Sequence, residues 1–414
     1  MQKEHTIGVI LANFQAALEQ NGESLEEYIR RTYIDKWVGD ALFHVMAVRT
    51  TFVNAMHNFL TDYGLFNMER VALSPLTDPL AHDIEYSPSI PYKGIPYMTT
   101  HSMIYSKLMA CFHPQIKGIF VDSPNIRLEL ESADGSQRGK YLIDFSQMDI
   151  EVRREKQISL EEYLKDTDKV EKILQEDKDR ALGFFEDMVI TSMNAVADKN
   201  ADSLKALGVR LEEPRKPFPV FRKDEAVGRH GAGDYERALG RELAGSGTPS
   251  QFFWVTGLMR ENYDLIYPYL KADGTRRALN EFTSDEIYNY DLCMQSLQAD
   301  GSYGTAYEVL SGGVREWLYE PIVQRLLDNK IIRVRPEIDG GRILNIEELD
   351  GYGPFLLAAF LTNKQGQNYF PSTFGGGIGI ERSLFALLKG EKIEKADDVT
   401  FFGKNPDSHP VYVY

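Results

Sequence analysis

The stretch "FGGGIGIERSLFALLKG", residues 374–390, sets four glycines in front of a Glu-Arg pair and an apolar helical run. Glycine lets a backbone take positive φ or approach a ligand closely, so a glycine run between a strand and a helix is either a phosphate-binding element or a tight packing turn. Arg382 opens the helix that follows, where the helix dipole and the guanidinium fork both favour an anion. The pattern is neither G-x-G-x-x-G after an early strand nor G-x-x-x-x-G-K-[ST], so the dinucleotide and P-loop readings fail and another nucleotide fold is needed.

Two upstream segments carry further chemistry. In "NIRLELESADGSQRGKYLIDFSQMDIEV", residues 125–152, apolar and polar residues alternate on both sides of a glycine-containing connector, a hairpin pattern. Arg127 and Glu129 lie two apart and leave one face, as do Asp149 and Glu151 on the partner strand. Buried charges cost several kcal/mol each unless paired, so this face is either solvated or lines a polar pocket. In "YEVLSGGVREW", residues 307–317, the Gly312-Gly313 pair allows close backbone approach, with Arg315 just beyond. Glu308 and Ser311 make either a Mg²⁺ clamp for bound phosphates or a turn with a surface salt bridge.

The totals describe a globular chain of 414 residues, 43% hydrophobic, with 46 Lys and Arg against 62 Asp and Glu. The formal charge of -16 repels polyphosphate chains and disfavours extended nucleic-acid binding. Cys111 and Cys293 lack the paired spacing of a thiolate metal site and read as packing residues. No secretory leader or membrane span is evident, which places the expectation in the cytoplasm. Residues 1–40 read as amphipathic helices, and Ala41 to Leu60 as a long helix stopped at Gly64. Residues 97–113 read as a strand end leading into a helix, and 158–207 as charged and helical. "QFFWVTGL", "ENYDLIYPYL" and "YGTAYEVLS" read as strands. The Gly-, Pro- and charge-rich interval 213–250 is either a mobile loop over a site or a solvated linker.

The order of these segments, an R-x-E hairpin, then "EVLSGGVRE", then a terminal "GGGIGIER", resembles the motifs of class II aminoacyl-tRNA synthetases in the aspartyl and asparaginyl branch. "VRTTFVNAMHNFLTDYGLFNMERVALSPLTDPL" is similar to motif 1, the dimer-interface helix and strand; the hairpin is similar to motif 2 and "GGGIGIERSLFALL" to motif 3. "LSPLTDPL", "THSMIYSKLMA", "IFVDSPNIRLE", "ENYDLIYPY" and "LSGGVREWLYEPIV" resemble, closer still, the archaeal asparagine synthetase related to asparaginyl-tRNA synthetase. The resemblance implies an α+β catalytic fold, an antiparallel sheet flanked by helices, with no anticodon-binding domain. It further implies a domain over residues 41–414 carrying insertions near 213–250, 271–304 and 336–353, preceded by a helical extension over 1–40.

Carried over by position, the resemblance implies catalytic roles for Arg127 and Arg382 on the phosphates of ATP. Glu129 would face the adenine amino group or the amino acid, Phe145 would stack on adenine, and Arg382 would lie on the base's other side. Glu308 and Ser311 would hold Mg²⁺. Lys107 and Arg315 match the cations that grip the side-chain carboxylate of L-aspartate or a close analogue, with Ser102 in the same site and Gln147 and Asp149 near the amino end. Ile104 stands where bacterial aspartyl-tRNA synthetases carry glutamine, and Asp144 where they carry glutamate.

The implied chemistry is ATP-dependent adenylation of aspartate, followed by transfer to ammonia or another small amine, in a homodimer with no membrane partner. The acidic charge, together with a helical rather than five-stranded stretch before motif 1, argues against a tRNA partner. The rival readings are a tRNA-charging paralogue that recognises only the acceptor stem and a non-catalytic regulatory paralogue.

Overall fold

The computed structural model describes residues 6–75, 89–127, 142–259, 263–362 and 368–402. Its main sheet comprises β1 (Phe66–Asn67), β2 (Gly118–Ile126), β3 (Asp144–Arg153), β4 (Val209–Arg210), β5 (Val220–Arg222), β6 (Phe252–Thr256), β7 (Asn289–Gln298), β8 (Tyr303–Val314) and β9 (Thr373–Gly379). The strands lie in the order β1-β2-β3-β9-β8-β7-β6-β5, with β4 pairing β7. Only β1–β2 and β5–β6 run parallel; the central ladders are antiparallel. Strands far apart in sequence, β3, β9 and β8, are thereby neighbours, which brings the three sequence motifs side by side.

Side chains alternate across this sheet with period two. On β3, Met148, Ile150 and Val152 are buried in the main core, whereas Phe145, Gln147, Asp149 and Glu151 leave the opposite face. The apolar face is backed by α1 (Asp40–Tyr63), α2 (Thr167–Lys199) and α3 (Ile380–Leu388). Gly64 caps α1 with φ 93°, a left-handed conformation that glycine takes without strain. Phe184 and Phe185 of α2 reach Phe374 and Tyr290, so a long polar-faced helix is fixed by one aromatic stripe.

Residues 7–20 and 25–38 are helical and form a small core of Leu18, Tyr28 and Tyr33. They are tied to the far end of the chain by Trp37 Nε1, which donates to the Phe401 carbonyl at 3.0 Å, and by Lys36 Nζ, which donates to that of Asp397 at 2.6 Å.

Three segments depart from the sequence reading. The interval 213–250 is neither linker nor open loop: it supplies β5 and two helices, Lys223–His230 and Tyr235–Ala244. Leu239 and Leu243 there pack on Phe253, Val255, Cys293 and Ala306, an i, i+4 apolar pair hidden among charges. Second, "ENYDLIYPYL" is not a strand; its described part makes isolated bridges such as Asp264 to Arg315. Third, residues 289–298, grouped with an insertion on the sequence, form the inner strand β7.

Candidate active site

The polar face of the sheet is built around glycines. Register places Glu151 opposite Gly375, Gly375 opposite Gly313, and Gly313 opposite Asn289; one pleat along, Asp149 faces Gly377, which faces Ser311, which faces Asp291. A Cβ on Gly375 would lie 2.2 Å from Glu151 Oε2, and one on Gly377 would lie 2.4 Å from Gln147 Nε2. A Cβ on Gly313 would meet Asp264 Oδ1 at 2.6 Å. These glycines therefore make room for acidic and amide side chains of the neighbouring strand β3 and of the segment carrying Asp264. Gly376, on the other face, lies against Phe185 and lets α2 pack close.

The space so made holds a buried ion network. Lys107 Nζ, from the helix Ile104–Ala110, is 2.7 Å from Asp149 Oδ1 and 3.8 Å from Glu151 Oε2. Arg315 Nε is 3.3 Å from Glu151 Oε1, and its Nη1 is 2.6 Å from Asp264 Oδ1. Lys107 is 0% and Arg315 2% exposed, so the Asp149–Glu151 face of the hairpin carries a desolvated ion network and is not a solvated surface. Thr373 donates to Glu151 Oε1 at 2.7 Å, Asn289 Nδ2 donates to Asp264 Oδ2 at 3.0 Å, and Arg325 donates to the Asp264 carbonyl. Burial opposes the charge on Arg315, but Glu151 and Asp264 outweigh it and raise its pKa further. Burial, reinforced by Glu151, pushes the neighbouring Cys111 thiol up to about 12, leaving it an inert packing group as expected. Two oxygens of this network, Asp149 Oδ2 and Glu151 Oε2, are buried with no hydrogen-bond partner among the described residues.

A second cluster lies on the same face. Arg382 is the third residue of α3, which starts directly after β9, and its Nη1 is 3.7 Å from Glu308 Oε1. Three residues apart on a regular strand, Glu308 and Ser311 would point to opposite faces. The ladder between β7 and β8 shifts register at Leu292/Cys293, and Val309 and Leu310 both enter the apolar core. That bulge returns Glu308 and Ser311 to one face, beside Asp291. Carboxylate and hydroxyl oxygens presented together are hard donors that suit Mg²⁺ completed by phosphate oxygens. Among the described residues no group of three or more His, Cys, Asp or Glu forms a metal cluster.

Arg127 follows β2; its Nε donates to the His101 carbonyl at 3.1 Å and its guanidinium carbon lies 5.3 Å from the Phe145 ring centroid. Gln147 pairs with Gly379 across the β3–β9 ladder, and its side-chain amide reaches diagonally to Gly377. Ser102 lines a separate cavity with Thr99 and Ser106. Glu129 lies outside the described residues. Not singled out on the sequence were Asp264, Asn289, Asp291 and Glu381. Glu381 accepts from Arg49 of α1 at 3.0 Å and from the Ser146 backbone at 2.9 Å, joining the first, second and third motif segments. Burial raises the pKa of Glu381, with Arg49 opposing. Its place beside Arg382 in "GIER" was the one available signal.

An antiparallel sheet with this strand order, glycine strand and terminal helix is the catalytic fold of class II aminoacyl-tRNA synthetases. The asparaginyl-tRNA synthetase from Pyrococcus horikoshii complexed with asparaginyl-adenylate superposes with TM-score 0.61 at 16% identity, over 89% of this chain and 70% of that one. The Entamoeba histolytica asparaginyl-tRNA synthetase in complex with asparaginyl-adenylate gives 0.59 at 15% identity, over 98% and 73%. The aspartyl-tRNA synthetase of E. histolytica gives 0.51 at 17%, over 88% and 58%. By sequence the chain is distantly similar to the aspartate–tRNA(Asp) ligases of Pyrococcus furiosus, 25% identical, and Thermococcus kodakarensis, 26% identical, each over 219 residues. Those alignments span 51% of this chain and 41% of each relative. No family model matches the sequence. No helix among the described residues is long and apolar enough to cross a membrane.

Proposed function

We propose that the protein is an ATP-dependent, AMP-forming ligase that activates L-aspartate or a close analogue as its adenylate and transfers it to ammonia or another small amine. The observation that carries the first half is the buried network of Lys107, Asp149, Glu151, Arg315 and Asp264. It offers cations to a carboxylate and, at Asp149 Oδ2 and Glu151 Oε2, acidic oxygens with no hydrogen-bond partner among the described residues to an ammonium. An amino acid with an acidic side chain carries both groups.

A carboxylate oxygen of the amino acid attacks the α-phosphorus of ATP, and pyrophosphate leaves with the bonding electrons. Arg127, over Phe145, is the group for the α-phosphate side, and Arg382 is the group for the far phosphates. Both act by neutralising charge and by positioning, and no covalent enzyme nucleophile is required. Glu308 and Ser311 would hold Mg²⁺, which when bound neutralises phosphate charge. Arg382 and Glu308 are paired with each other and half-buried, so each can exchange its partner for phosphate or metal. The acidic charge of -16 supports a small acceptor, and the motif 1 segment α1–β1 supports a homodimer.

A second reading is favoured by one observation: the curated relatives are aspartate–tRNA(Asp) ligases, so tRNA is the competing acceptor. Pyrophosphate release with aspartate and ATP, with and without ammonia, separates the two. Turnover only with tRNA would replace the amine reading, and no pyrophosphate under any acceptor would reject ligase activity.

A further inference from the structure

A cavity of ≈ 290 Å³ opens beside the candidate active site, and its chemistry differs from the ion network. Five hydroxyl-bearing residues line it, Ser74, Thr99, Thr100, Ser102 and Ser106, of which Thr100 donates its hydroxyl to the Val71 carbonyl, and no acidic, basic or histidine residue is among the described lining. Met109 and the stacked Tyr105–Phe355 pair, ring centroids 4.0 Å apart, form an apolar wall. Thr99 is buried, and its Oγ1 has no hydrogen-bond partner among the described residues.

The cavity is coupled to the phosphate-side arginine through its own wall. The Thr100 carbonyl accepts from the Ile126 amide at 2.9 Å, and the next carbonyl, of His101, accepts from Arg127 Nε at 3.1 Å. The helix Ile104–Ala110 carries Lys107 toward Asp149 on one flank and Tyr105, Ser106 and Met109 to the cavity on the other.

We propose that this cavity binds the acceptor as a neutral small amine. The inference rests on the ligase reading above and names the form of its second substrate. Among the described lining residues a phosphate or carboxylate ligand would find no cation, and an ammonium no anion, so each would lose its hydration there without a counter-charge. A free-base amine needs neither: hydroxyl oxygens accept its N–H groups, and the Met and aromatic wall takes a short carbon stem. The volume lies at the bottom of the range of about 300–1,000 Å³ for ligand pockets, which suits an acceptor of a few heavy atoms. The unprotonated form is also the reactive one. Its nitrogen lone pair forms the C–N bond to the acyl carbon of the adenylate, the C–O bond to phosphate breaks, AMP departs with that electron pair, and the surplus proton on nitrogen passes to water.

The test uses the full chain with aspartate, ATP and either ammonia or hydroxylamine. For the wild type, the KM for total ammonia should fall about tenfold per pH unit between roughly pH 6.5 and 8.5, as the free-base fraction rises. The KM for hydroxylamine, neutral near pH 7.5, should stay flat there. Thr99→Val and Ser106→Leu should raise the KM for either amine at least about tenfold while leaving aspartate-dependent ATP–pyrophosphate exchange within about twofold of wild type. Exchange isolates activation from transfer. Normal exchange with an unchanged amine KM in both variants, or an ammonia KM independent of pH, overturns the cavity assignment alone. Absence of exchange in the wild type overturns the ligase reading, and this inference with it.

Discussion

Gly375 and Glu151 face each other across the β3–β9 ladder so closely that a Cβ on the glycine would sit 2.2 Å from Glu151 Oε2 and 2.4 Å from the Ile150 carbonyl. Neither neighbour can withdraw, because one belongs to the backbone and the other to a fully buried ion network. Gly375→Ala is expected to destabilise the fold by about 1–3 kcal/mol, read as a lower urea midpoint at constant m. At Gly377 the closest group is the end of a Gln147 side chain, so Gly377→Ala should cost less stability and act mainly on the amino-acid KM. Equal effects at the two positions would contradict this division.

Arg315 is the cation between Glu151 and Asp264. Arg315→Met leaves both carboxylates buried without it, and the expected loss is about 3–5 kcal/mol. Arg315→Lys should recover only part, since a single ammonium cannot donate to two carboxylates at the guanidinium's spacing. Chemical denaturation of both variants measures this, and a fully stable Arg315→Met protein would show that the network is dispensable to the fold.

Arg382→Ala should leave stability near wild type, because the Arg382–Glu308 pair is partly exposed and long at 3.7 Å. Its effect belongs to ATP: a fall of about 10²-fold or more in kcat/KM for ATP in pyrophosphate exchange. Unchanged ATP kinetics would remove Arg382 from the phosphate site.

Glu316 supplies a pH test away from the reacting groups. Burial raises its pKa to about 7 against an ordinary value of 4.5, opposed by the Leu318 and Trp317 amides and by Arg325 and Arg154. Between those values the unfolded chain has released this proton while the folded chain retains it, so its contribution makes stability fall as pH rises from about 4.5 to 7. Glu316→Gln keeps an acceptor for the two amides and cannot ionise. The variant should gain stability relative to wild type from pH 5 to pH 8, by an amount on the order of a few kcal/mol. Urea midpoints at both pH values test the sign, and a gap that does not widen with pH would refute it.

Much of this site was legible along single strands. Period two put Asp149 and Glu151 on one face, and the cost of burying charge left only a solvated surface or a polar pocket. The three motif segments likewise carried the fold. The ion partners were harder to see, because Asp264 lies in an irregular segment whose sequence reads as a strand. The helices of residues 223–244 were hidden because charges and glycines surround their few buried side chains, Ala226, Leu239 and Leu243.

By itself, the sequence determined local periodicity, the stop of α1 at Gly64, and the residue types able to meet ATP and an acidic amino acid. Tertiary structure alone decided which charges meet. Strand order places β9 between β3 and β8, so glycines at 375 and 377 clear space for carboxylates more than 200 positions away. The β8 bulge decides the face that Glu308 shares with Ser311. The physical reason is that a side chain's face follows from its own strand, whereas its partner and its desolvation are set by register between strands distant in the chain.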